Sequence, residues 1–110
     1  MALTEKRLGA TTVVASTDTS LYTVPADTTA IVNTIQVCNR GGTNRTFRVA
    51  WVDGAIGVVA NEDYLYYGVT VPANDSICLR LGLTMETADS ILVWADHADV
   101  NFVAAGVEKT

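Results

Sequence analysis

At 110 residues the chain has room for one domain, and a domain of this size buries roughly two-thirds of its unfolded surface in a single core. Apolar residues make up 49% and charged residues 17%, which excludes an intrinsically disordered chain; Val, Ala, Ile, Leu and Thr dominate, a mixture that packs well on pleated strands. With 12 acidic against 7 basic residues the net charge is −5, and the basic residues are scattered, so a nucleic-acid partner is not expected.

No apolar run approaches the roughly 18 residues that span a bilayer, so no membrane partner is expected. Lys6 and Arg7 are not followed by an apolar segment of signal-peptide length, which predicts a chain made and used without secretion. On that reading Asn44-Arg45-Thr46 and Asn74-Asp75-Ser76 match the glycosylation pattern by chance. Cys38 and Cys78 are then free thiols by default, with a bridge between two strands left open.

Eight extended segments are predicted, separated by turn residues at sandwich-like spacings. Residues 1–8 are read as an extended N-terminal arm able to pair with a neighbour. The first strand is expected near Arg7 to Val14 and the second from Ser20 to Val24, ending at Pro25, which lacks a ladder donor. Here stands the phrase Thr23-Val24-Pro25-Ala26, which returns as Thr70-Val71-Pro72-Ala73. Each copy closes one extended segment and opens another, as in a sandwich built from two similar halves.

The third segment, Ala30 to Asn39, places Ile31, Ile35 and Val37 on one face and Thr34, Gln36 and Cys38 on the other. Arg40-Gly41-Gly42-Thr43-Asn44 predicts a hairpin, because Gly-Gly tolerates positive φ. In Thr46 to Val52, Phe47, Val49 and Trp51 alternate with Arg48 and Ala50, which predicts one buried and one wet face. Asp53 to Asp63 reads as the long connection between halves, with a short helical turn near Ile56 to Ala60. The fifth segment, Tyr64 to Val71, carries Tyr64, Tyr66 and Tyr67; the sixth, Ser76 to Leu83, alternates Ile77, Leu79, Leu81 and Leu83 against Cys78, Arg80 and Gly82. Ser90 to Ala95 and Val100 to Val107 complete the set. The expected fold is therefore all-β, a single sandwich of about eight strands over residues 1–110, jelly-roll-like in connectivity with immunoglobulin-like as the alternative.

Chemistry is sparse. His97 lies in Asp96-His97-Ala98-Asp99, which reads as a polar turn because adjacent residues point apart and no further ligand is near. Asp53, Glu62 and Asp63 lack the alternating spacing of a calcium loop. Neither cysteine stands in a nucleophile context and no phosphate-cradling loop is present, so no catalytic residue, metal or cofactor is expected. Tyr64, Tyr66 and Tyr67 beside an irregular loop are the best interface candidates, with Lys6, Arg7 and Leu8 of the arm.

Several stretches resemble small structural proteins of tailed bacteriophages: Lys6-Arg7-Leu8-Gly9, Leu21-Tyr22-Thr23-Val24-Pro25-Ala26, Ile35-Gln36-Val37-Cys38-Asn39, Val71-Pro72-Ala73-Asn74-Asp75-Ser76-Ile77, Asp89-Ser90-Ile91 and Gly106-Val107-Glu108. The resemblance covers most of the chain. It implies a non-enzymatic virion component, best matched by capsid cement (decoration) proteins. These bind the major capsid protein on the capsid exterior after assembly in the bacterial cytoplasm, with trimers or dimers as possible self-associations. The absence of a fibrous segment counts against a tail fibre. A head–tail connector or tail-associated protein is the second expectation, and a carbohydrate-binding module using the tyrosines the third.

Overall fold

A computed structural model describes residues 2–53 and 59–110. Eight strands are present among them: β1 (Leu3–Thr12), β2 (Thr19–Thr23), β3 (Thr29–Asn39), β4 (Arg45–Val52), β5 (Tyr64–Val71), β6 (Ser76–Met85), β7 (Ser90–Ala95) and β8 (Val100–Lys109). The helical turn expected near Ile56 to Ala60 falls mostly outside the described residues. Just after it, Asn61–Asp63 form one 3₁₀ turn, closed by the Asp63 side chain accepting from the Ala60 amide at 2.9 Å.

The strands form two four-stranded antiparallel sheets, ordered β1-β8-β3-β6 and β2-β7-β4-β5. The chain behaves as a folded ribbon in which β1 pairs β8, β2 pairs β7, β3 pairs β6 and β4 pairs β5. That nesting is a jelly roll, and it removes the immunoglobulin-like alternative. Every connection except β4 to β5 crosses between sheets. The segment around Gly41-Gly42 is therefore a sheet-to-sheet corner. The hairpin expected there does not form, because β3 and β4 pair with strands of different sheets, and neither glycine takes a positive φ.

The two Thr-Val-Pro-Ala copies are corners too. One joins β2 to β3 and the other β5 to β6, so they mark equivalent sheet crossings and not equivalent places in two four-strand halves. In both, Val24 and Val71 are buried, the proline ends the strand, and the fifth residue is left-handed, Asp27 and Asn74 each at φ 55°. Each copy is tied to another corner. Val24 exchanges backbone bonds with Ala88 and Asp89, while the Asn74 amide donates to the Gly41 carbonyl at 2.9 Å.

The core lies between the sheets, filled by Phe47, Phe102, Ile35, Met85 and Ile91 with a ring of valines. Phe47 and Phe102 meet edge to face at 6.1 Å across the two sheets, a favoured aromatic geometry. Among the buried polar residues, Asn39 has both its amide nitrogen and its side-chain oxygen engaged. Asn39 donates to the carbonyls of Thr43 at 2.7 Å and Val71 at 3.2 Å, and accepts from the Gly41 amide at 2.9 Å.

Bulges crease the first sheet along one line. The register slips between Arg7 and Gly9, between Val32 and Thr34, and opposite it in β6 between Arg80 and Leu83. Adding a residue reverses which face the following side chains take. Ile31 therefore points outward and is 43% exposed, whereas Val32 and Ile35 are fully buried; the alternation that put Ile31 beside Ile35 is broken by Asn33. Of residues 1–8, expected as an extended arm able to pair with a neighbour, those from Leu3 onward belong to β1 and pair with β8, which leaves the outer edge of β1 unpaired.

Candidate functional site

β5 is an edge strand, and two bulges decide where its tyrosines go. Tyr67 pairs with Arg48 and Val69 with Phe47, so Gly68 is the extra residue, at φ +68° where a Cβ is disfavoured. A second slip lies between Tyr66 and Tyr64, opposite Val49 and Ala50. The outcome separates the three rings. Tyr66 turns inward, half-buried on the core with its ring 6.4 Å from Phe47. Tyr64 and Tyr67 stand on the outer face and touch edge to face at 4.9 Å.

On that outer face the register aligns Tyr67, Arg48 and Trp94 across β5, β4 and β7. The Arg48 guanidinium carbon lies 4.2 Å from the Tyr67 ring centre and 3.9 Å from that of Trp94. Cation–π contacts of this kind are worth about 0.5–2 kcal/mol each. Arg48 makes no ion pair among the described residues, and its Nε is buried without a hydrogen-bond partner. Tyr67 is 61% exposed, so the clamp opens to solvent on one side.

The neighbouring row is apolar. Leu92, Ala50 and Tyr64 align across β7, β4 and β5, and Leu92, Ala50 and Val52 form a small cluster with Val59 and Tyr64 packed on it. The outer face of β4, expected wet, is thus buried at Ala50 and Val52 because Val59 and Tyr64 lie over it. Sequence reading found Tyr64 and Tyr67 here, and missed Trp94. Its outward phase in Ser90–Ala95 was the only signal available, since Arg48 and Trp94 become neighbours only through the β4–β7 pairing.

Lys6, Arg7 and Leu8 lie elsewhere, on the edge strand of the other sheet. Leu8 is the bulge residue and packs on the core, Arg7 is exposed, and Lys6 is engaged with Glu108 at 3.0 Å. Glu108 also accepts from the Tyr22 hydroxyl at 2.5 Å. These bonds, the phenol first and the ammonium second, hold the Glu108 carboxyl below its ordinary range, while burial chiefly pushes the Tyr22 phenol up. Structure therefore divides the expected interface residues between two surfaces on different sheets.

The remaining polar groups were weighed for chemistry. Asp53 shares a hydrogen bond with Asp89, which raises the Asp53 carboxyl, with the charges of Asp89, Glu86 and Asp63 adding to it. His97 Nδ1 accepts from the Asp99 amide at 3.1 Å, the pattern of a self-capped turn. Among the described residues no group of three His, Cys, Asp or Glu side chains is placed to hold a metal, and no helix is long and apolar enough to cross a membrane. Cys38 and Cys78 are free and lie diagonally across β3 and β6 on the outer face, Cys38 opposite Ser76 and Cys78 opposite Gln36.

No protein-family description matches this chain, and no curated protein does.

Proposed function

We propose that this chain is a structural component of a tailed-bacteriophage virion, and within that class a capsid cement (decoration) protein. It would bind the lattice of major capsid protein from the outside and stabilise it. The observation that carries the reading is the outer face of the β2-β7-β4-β5 sheet, where Tyr64, Tyr67, Arg48 and Trp94 sit beside a small apolar cluster. Tyr, Trp and Arg are the residues that anchor protein interfaces, and here they are held on strands and not on a mobile loop.

Size agrees with that role. The domain measures 45 × 28 × 19 Å, so a broad face is large enough for the about 800 Å² per partner of a standard interface. Symmetry multiplies a modest contact over many lattice positions. The phage-like phrases support the same class; two of them, containing Pro25-Ala26 and Pro72-Ala73, build two corners of the jelly roll.

Co-sedimentation with shells from the genome that encodes this chain tests the proposal. Purified protein should bind expanded shells in a fixed saturating ratio and leave unexpanded precursor shells free. Failure to bind either form, or saturable glycan binding lost in Tyr67→Ala, contradicts it.

A further inference from the structure

We propose that the Tyr67–Arg48–Trp94 clamp is a carboxylate receptor, receiving an Asp or Glu side chain of the partner protein on the outer face of the β2-β7-β4-β5 sheet. The identity of that partner as capsid protein rests on the reading above; the receptor chemistry rests on the clamp itself. A guanidinium offers a planar fork of donors that matches a carboxylate. Arg48 has none of its own among the described residues, and residues 54–58 contain no acidic side chain. Its Nε is buried with no hydrogen-bond partner, so the guanidinium is not satisfied within the fold.

The two rings hold the guanidinium in place before any partner arrives. That pre-ordering lowers the entropy lost on binding. The ligand class follows from charge and from the ring faces. One cation in a chain of net charge −5 suits a single carboxylate better than a phosphate or polyanion. The aromatic faces turned towards Arg48 are already occupied, so they are not free to stack on a sugar ring. The adjoining Leu92, Ala50, Val52 and Tyr64 cluster would receive apolar side chains flanking that acid.

The test has two arms. In the first, acetate is titrated against the folded protein while the Arg48 Nε–H and Trp94 indole signals are followed by NMR. Saturable shifts that vanish in Arg48→Met support the receptor. No saturable shift, or tighter saturation by inorganic phosphate or methyl glucoside, overturns it. In the second arm, shells that bind the wild type are offered Arg48→Lys, which keeps the charge but loses the fork, and Trp94→Phe, which keeps a ring. Roughly thirtyfold weaker binding of Arg48→Lys is expected for a central anchor. Binding of both Arg48→Lys and Arg48→Met within about twofold of wild type overturns the receptor while leaving the cement reading intact. A wild type that binds no shell refutes the cement reading, and the acetate arm then decides the receptor alone.

Discussion

Asp27 and Asn74 hold the same left-handed backbone, φ 55° in each, at the fifth position of the two Thr-Val-Pro-Ala corners. Ser16 and Ala88 repeat the device at φ 56° and 74° in the β1–β2 and β6–β7 crossings. Asn and Asp tolerate this region because their side chains bond locally, whereas Ala has no such help. Ala88→Gly should therefore stabilise the fold by about 0.5–1 kcal/mol, the strain of about 1–2 outweighing the extra freedom glycine gives the unfolded chain. Asn74→Val should do the opposite. Urea midpoints at constant m-value read both.

Asn39 links two corners from inside the core, β3–β4 and β5–β6. It is 1% exposed and bonds Thr43, Val71 and Gly41. Asn39→Ala strands two carbonyls and an amide, each of which costs about 1–3 kcal/mol when left unmet. A loss of about 3–5 kcal/mol is expected after relaxation and water entry. An Asn39→Ala protein as stable as wild type in urea would remove the corner lock from this account.

Gly106 and Gly42 separate close approach from turn conformation. A Cβ on Gly106 would stand 2.0 Å from the Ile31 carbonyl oxygen, a backbone atom that cannot swing away. Gly106→Ala should cost about 1–3 kcal/mol, as overpacking does. A Cβ on Gly42 meets nothing within 4 Å, and its φ is not positive. Gly42→Ala should be neutral or stabilising by up to about 1 kcal/mol. Were the segment a glycine-dependent hairpin, that substitution would destabilise.

Two carboxyls give stability opposite slopes with pH. Glu108 is lowered, by the Tyr22 hydroxyl and then Lys6, so its contribution is full above the ordinary carboxylate pKa and lost as pH falls through the lowered value. Asp53 is raised, first by its hydrogen bond with Asp89, so its contribution is present below the ordinary value and lost as pH rises through the raised one. Asp89 in turn accepts from the Glu86 amide at 3.0 Å and from Trp51 Nε1 at 3.4 Å. Glu108→Gln should flatten the acid limb of stability. Asp53→Asn should raise stability at neutral pH and flatten the slope between the carboxylate range and neutrality. Urea midpoints across pH distinguish these from a uniform shift.

Local patterning carried the strands and little of their pairing. Tyr64–Val71 and Ser90–Ala95 have the bounds that alternation and flanking turns predict, because each begins and ends on residues with strong local preferences. Pairing is non-local. Gly41-Gly42 looks like a hairpin in sequence, and only the demand of β3 for β6 and β8 makes it a corner. The bulge at Asn33 has no clear mark, yet it reverses Ile31. At the candidate site the tyrosines were legible as an aromatic cluster, whereas the clamp needed the register that brings Trp94 to Arg48.

The number of copies per particle tests the proposed function most directly. In purified virions from the genome encoding this chain, quantitative mass spectrometry against the major capsid protein should give copies on the order of hundreds, in fixed lattice proportion. About 6 or 12 copies would assign the chain to a connector or tail ring and contradict the cement reading. Its absence from the particle would contradict a virion role altogether.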